Sequence, residues 1–206
     1  MKYRIKEIFK TIQGEGTYSG KSVIFIRFSG CNRWSGRKED KKSSFCSFCD
    51  TDFYGGVPMG ADEILSEVNR LAGNCRDIVL SGGEPLLQLD EDLCIILNAT
   101  YFLHLETNGS KPLKSLDKYI SHISMSPKQS KEDTQLERCD DLKILYPWIH
   151  PDITDQAFRS YPHSSMFLQP LEDKNHDKNI ENACKYVLKN DYVKLGLQLH
   201  KILELR

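Results

Sequence analysis

The sequence predicts an α/β fold: an incomplete barrel of mostly parallel strands, in one domain spanning residues 1–206. Three observations carry that expectation. Short apolar runs alternate with segments whose apolar residues recur at helical spacing. Polar residues follow the apolar runs at their carboxyl ends. The chain of 206 residues is long enough for a substantial core but short for a full eightfold barrel.

The elements follow in order. Residues 23–28 read as a strand. Residues 61–71 read as a helix, with Ile64, Leu65, Val68 and Leu71 on one face. Residues 77–80 form a strand running into S-G-G-E-P, and 90–98 a helix. Residues 101–105 form a strand ending in E-T-N-G, and 120–125 a strand ending in S-P-K. Two more strands are expected at 142–146 and 166–168, then a helix at 179–188 and a last strand at 193–199. Strands alternating with helices imply a parallel sheet with right-handed crossovers. Cys31, Ser81, Gly83, Glu84, Glu106, Asn108, Ser126, Lys128 and Gln169 all stand just after strands. Parallel α/β folds place their ligand sites at that edge, so these segments are expected to face one cleft.

Composition excludes some classes. The 28 basic side chains nearly balance the 29 acidic ones, without the broad positive footprint of a nucleic-acid binder. The opening M-K-Y-R-I-K-E-I-F-K has no signal-peptide core, and no stretch approaches transmembrane length. A soluble cytoplasmic protein with no nucleic-acid partner and no membrane association is expected. The charged run G-R-K-E-D-K-K at 36–42 reads as a solvated loop or short exposed helix.

Of the seven cysteines, Cys75, Cys94, Cys139 and Cys184 are scattered and read as small buried hydrophobes. Cys31, Cys46 and Cys49 are grouped as C-x14-C-x2-C. Three gathered thiolates point to a metal centre. Zinc requires a fourth ligand, for which Cys75 and His104 are the candidates. A [4Fe–4S] cluster on three cysteines keeps one iron open for chemistry. The residues alone leave both open. S-G-G-E-P lets backbone approach a ligand closely but lacks the P-loop pattern.

The cysteine trio followed by G-G-E-P, E-T-N-G and S-P-K resembles the radical S-adenosylmethionine (SAM) superfamily, whose usual spacing is C-x3-C-x2-C. The expanded spacing here, with T-I-Q-G-E-G upstream and C-D-T-D-F at the last cysteine, resembles the 7-carboxy-7-deazaguanine synthases of the queuosine pathway. The likeness runs from K-E-I-F to Q-L-H-K. It implies a partial TIM-like barrel, the radical SAM core. It also implies a [4Fe–4S] cluster on Cys31, Cys46 and Cys49, and SAM bound at its open iron and cleaved to a 5′-deoxyadenosyl radical. That radical takes hydrogen from C6 of 6-carboxy-5,6,7,8-tetrahydropterin. The substrate then contracts its ring and loses ammonia, and SAM is regenerated.

Carried over position by position, the resemblance assigns SAM contacts to Phe48, Cys49, Asp50, Gly83, Glu84, Ser126, Pro127, Lys128, Gln169, Pro170, Leu171 and Glu172. Substrate contacts fall on Ile12, Gln13, Gly14, Glu15, Arg27, Ser81 and the terminal carboxylate of Arg206. Thr51 is the Mg²⁺ ligand. An external electron donor such as a flavodoxin or ferredoxin, and a homodimer, are also implied. The ending H-K-I-L-E-L-R departs from the short apolar terminus typical of the family. Two competing readings are another radical SAM activity, such as a glycyl-radical activase, and a zinc-stabilised binding module without enzymatic activity. Q-G-E-G and C-D-T-D-F argue against the activase.

Overall fold

The computed structural model describes residues 1–205. Within them nine strands form one sheet. β1 (Tyr3–Ile12) and β2 (Ser22–Phe28) make an antiparallel hairpin, with β3 (Val57–Met59) on the outer edge of β1. From β2 onward every pairing is parallel, through β4 (Asp77–Gly82), β5 (Phe102–Thr107), β6 (Ile120–Met125), β7 (Asp141–Tyr146), β8 (Ser165–Pro170) and β9 (Lys194–Leu195). The order is β3-β1-β2-β4-β5-β6-β7-β8-β9, so the two edges do not meet and the barrel is open. The main helices are α1 (Ala61–Ala72), α2 (Glu91–Asn98) and α4 (His176–Val187); α3 (Asp155–Phe158) and α5 (Leu199–Ile202) are single turns.

Side-chain alternation along the strands separates two environments. Leu103 and Leu105 of β5, Ile123 and Met125 of β6, and Leu142 and Ile144 of β7 join α1 and α2 in one apolar core. The alternate positions on the same strands are His104 and Glu106, His122 and Ser124, and Asp141 and Lys143. They point to the concave face, where neighbouring strands set His104 beside His122 and Glu106 beside Ser124. The helix-covered face holds the fold together, and the other face is polar and supplies chemistry.

Local signals agree with the observed starts. α2 begins at Asp90, whose carboxylate accepts from Leu93 N at 3.1 Å. α1 has Glu63 reaching back to Gly60 N at 2.6 Å. Two elements differ from expectation. β1 escaped the sequence reading because a bulge between Ile5 and Glu7 breaks its alternation: Tyr3 and Ile5 face the core, and after the bulge it is Ile8 that packs against it. The strand expected at 193–199 shortens to Lys194–Leu195. Gly196 packs against Gln169, where a Cβ would come 2.5 Å from Oε1, and the chain then turns into α5. The run at 36–42 is an exposed loop entering a 3-10 turn at Lys41–Ser43.

Candidate active site: a two-compartment cleft at the strand ends

The carboxyl ends of β2, β4, β5, β6 and β8 open onto one cleft. Its first compartment, about 240 Å³, is lined by Cys31, Cys46 and Cys49, by Gly83, and by Ser126, Lys128 and Gln169. A second compartment of about 180 Å³ is lined by Ile12, Gln13, Gly14 and Arg27. Both share Glu15, Asp50, Thr51, Ser81, Glu106 and Gln198, so they adjoin along that border. Cys31, Ser81, Glu106, Ser126 and Gln169 converge because their parallel strands end in the same direction, whereas residues 12–15 arrive from the opposite direction, off the antiparallel β1.

The cysteine loop has its own small core. Trp34, Cys46 and Phe53 are buried together, with Cys31, Phe48 and Cys49 packed against them. Trp34 meets Phe53 edge-on at 5.3 Å and donates from Nε1 to Asp40 at 2.8 Å, anchoring an otherwise exposed loop. Gly83 closes against this loop, since a Cβ there would lie 2.1 Å from Gly30 O and 2.7 Å from Cys31 Cβ. Burial raises the Cys31 thiol and pushes Cys46 up to about 11. A bound cationic centre is what would draw these thiols into the thiolate form.

The donor set fits a three-cysteine iron–sulfur cluster. The three thiols border one open compartment, and among the described residues no three His, Cys, Asp or Glu side chains, these included, already stand close enough to hold a single metal ion. Both candidate fourth zinc donors are engaged elsewhere. Cys75 lies 3.3 Å from Ser22 O, and His104 Nε2 lies 2.8 Å from Asp77 Oδ1, a residue that starts its strand far from the cleft. Three buried polar atoms on residues lining the first compartment have no partner: Arg33 Nε, Gln169 Oε1 and Gln198 Oε1. Unsatisfied buried groups of this kind are rare in a folded interior and suit a site that receives a polar ligand.

At the border of the compartments, Lys143 Nζ lies 2.7 Å from Glu15 Oε2 and 2.6 Å from Glu106 Oε2. Gln198 donates to Glu15 at 2.8 Å and Gln13 to Glu106 at 3.2 Å. One buried ammonium serves two largely covered carboxylates, and the carboxylates separate. Burial raises both, but for Glu15 the charge and hydrogen bond of Lys143 outweigh it and the net shift is downward. For Glu106 burial prevails and the net shift is upward. Burial would lower Lys143, yet its two carboxylates carry it well above the ordinary lysine value. Lys128, half-buried and donating to Ser126 O at 2.9 Å, is lowered by desolvation to about 8.

The remaining expected residues fall as follows. Phe48, Asp50, Pro170, Leu171 and Glu172 line the first compartment; Thr51 and Ser81 line both. Arg27 reaches the second compartment with Nε donating to Glu7 at 2.8 Å. Glu84 is fully buried behind the wall. Its oxygens accept from Thr107 Oγ1 (2.8 Å), Asn108 N (2.8 Å) and Leu86 N (3.1 Å), which ties β4 to β5. Pro127, also buried, lies behind the lining. Arg206 lies outside the described residues. Sequence reasoning missed Arg33, Lys143 and Gln198. Lys143 carried a signal, a lone charge inside the apolar run L-K-I-L.

The comparisons with known proteins agree with this geometry. Residues 43–153 match the model of the radical SAM superfamily. A 7-carboxy-7-deazaguanine synthase from Bordetella pertussis is 37% identical, covering 98% of each chain. One from Bradyrhizobium diazoefficiens is 38% identical over 100% of each chain. The crystal structure of QueE from Escherichia coli shares the fold, with a TM-score of 0.69 at 22% identity, covering 97% of this chain and 95% of that one. The chain therefore belongs to the 7-carboxy-7-deazaguanine synthase family of the radical SAM superfamily.

Proposed function

We propose that this chain converts 6-carboxy-5,6,7,8-tetrahydropterin to 7-carboxy-7-deazaguanine with loss of ammonia. The observation that carries this reading is the paired compartment: a three-cysteine wall beside a pocket rich in hydrogen-bonding groups, joined at Glu15, Thr51, Ser81 and Glu106. Cys31, Cys46 and Cys49 would hold a [4Fe–4S] cluster, which with SAM would supply the radical chemistry. Phe48, Gly83, Ser126 and Gln169 surround the SAM side.

This chain's own groups then bind and orient the pterin. Arg27 offers a planar fork to its carboxylate. Glu15 and Glu106 accept from its ring N–H groups, and Lys143 keeps both carboxylates in place. Gln13 and Ser81 add neutral hydrogen bonds. Thr51 supplies a hydroxyl to Mg²⁺, a cation that keeps most of its waters and takes few protein ligands. Gly14 leaves room for the C-terminal turn: its carbonyl accepts from Leu199 N at 2.8 Å, and any Cβ there would strike His200. An external electron donor, such as a flavodoxin or ferredoxin, a homodimeric assembly and a cytoplasmic setting complete the reading. None of the described helices is long and apolar enough to cross a membrane.

The test is an anaerobic assay of reconstituted protein with SAM, reductant and the pterin, with and without Mg²⁺, read by mass spectrometry. A Mg²⁺-stimulated product lighter than the substrate by one ammonia is expected. SAM cleavage that ignores the pterin would overturn the substrate.

A further inference from the structure

Beneath the cleft, β5, β6 and β7 carry polar side chains that the chemistry above does not use. A void of about 10 Å³ lies among Tyr18, His104, Glu106, His122, Ser124 and Asp141. That is the space of one water. Ser124, only 4% exposed, sets its hydroxyl beside this void and toward the Glu106 carboxylate, without a well-formed hydrogen bond to it. Strand register sets Ser124 next to Glu106 on one side and Asp141 on the other. His122 Nε2 lies 3.2 Å from Asp141 Oδ2, and Nδ1 lies 3.8 Å from Asp140 Oδ2. Its ring is 11% exposed and Asp140 is 30% exposed, so this end reaches solvent. Glu106 lines the void and both compartments of the cleft. Exchangeable groups thus run from the substrate compartment to the opposite end of the barrel.

We propose that this column is a proton path, in which His122, one trapped water and the Ser124 hydroxyl pass a proton from solvent to Glu106 for delivery to the departing nitrogen of the substrate. The proposal rests on the reaction assigned above. Release of that nitrogen as ammonium instead of ammonia takes up one proton. Imidazole, water, hydroxyl and carboxyl each accept one proton and give one up, so each ends as it began and no electrons move. With SAM and substrate filling the mouth of the cleft, the column is a route from below.

The surrounding charges are consistent with this role. Burial, with the charge of Glu15, lifts Glu106 above the ordinary carboxyl value against the pull of Lys143, which favours a carboxyl able to hold a proton. Asp140 and Asp141 flank His122, with Tyr18 edge-on at 4.8 Å and His104 at 5.9 Å. His104 stands aside from the path, held by Asp77, which also pairs with Lys21 at 2.7 Å. Thr17 secures the β1–β2 turn to Asp141 through N at 2.7 Å and Oγ1 at 2.6 Å.

Two measurements test the path. A high-resolution crystal structure of the cluster-loaded protein should show one ordered water on Ser124 Oγ within reach of His122 or Glu106. A dry void overturns the path whatever the substrate proves to be. In single-turnover kinetics, His122→Asn and Ser124→Ala should keep hydrogen transfer from substrate C6 to the SAM pool within about twofold of the parent. Both should slow product formation on the order of 100-fold, the low end of what general acid–base catalysis supplies. Product formation unchanged in both variants overturns the path. So does an equal loss of hydrogen transfer and product, which a merely structural role would give. A wrong substrate shows separately, as no hydrogen transfer in the parent, while the trapped water still decides the path.

Discussion

Lys143 and Glu106 lie 2.6 Å apart at the border of the two compartments, one strand removed from each other across β6. Lys143 is buried on the concave face, Glu106 is largely covered beside it, and Glu15 shares the same ammonium. The contact links stability to the site, because neither carboxylate can stay charged there without a cation nearby.

Replacing that cation is therefore costly. Lys143→Met should destabilise the fold by about 3–5 kcal/mol, the usual loss when one partner of a buried ion pair is removed. Denaturant unfolding at neutral pH measures it. Adding Glu106→Gln should recover part of the loss, since one uncompensated charge is gone. A double variant as unstable as the single one would contradict the account.

The pH dependence has a defined sign. Glu15 titrates lower in the folded chain than unfolded, so its contribution is present above the ordinary value of ~4.3 and lost as pH falls below it. Glu106 titrates higher when folded and partly offsets that loss. Lys143 titrates higher when folded, so its contribution is full below ~10.4 and lost on the alkaline side. Unfolding midpoints measured across pH should show an alkaline loss that is absent in Lys143→Met.

Gly83→Ala should disturb the cluster before it disturbs the fold. The added Cβ meets Gly30 O and Cys31 Cβ, neither of which is the end of a flexible side chain. The loop carrying Cys31 must shift. The expected cost is about 1–3 kcal/mol, as for other overpacked sites, with a fall in iron bound per chain. Iron and sulfide analysis beside a thermal melt separates the two effects.

Arg27→Ala should raise KM for the pterin by about 10- to 100-fold, the worth of a charged hydrogen bond, while reductive SAM cleavage persists. Arg27→Lys should recover little, because a point charge does not replace a planar fork. Unchanged KM in both variants would remove Arg27 from the substrate site.

Much of the fold and the edge of the site were legible because they rest on local pattern. Residues 120–125 match β6, and the polar residues expected after the strands, Glu84 apart, do open onto one cleft. What stayed hidden depends on pairing at long range or on broken periodicity. Lys143 looked like an interruption in an apolar strand, and only the folded sheet brings it to Glu15, 128 residues away. The bulge in β1 concealed its alternation. At the C-terminus the opposite happened: Val193, Leu195, Leu197 and Leu199 alternate as a strand would, yet Leu197 is 44% exposed and Leu199 opens a helical turn. Glu84 shows the remaining limit, since a carboxylate in a ligand loop and one tying two strands together look alike until their partners are known.

The most direct measurement of the central claim follows the hydrogen on C6 of the substrate. Cluster-loaded protein with SAM, reductant, Mg²⁺ and 6-carboxy-5,6,7,8-tetrahydropterin deuterated at C6 should yield 7-carboxy-7-deazaguanine, with deuterium appearing in the recovered SAM. Full cluster content with SAM cleaved, no ring-contracted product and deuterium retained in unchanged pterin would contradict it.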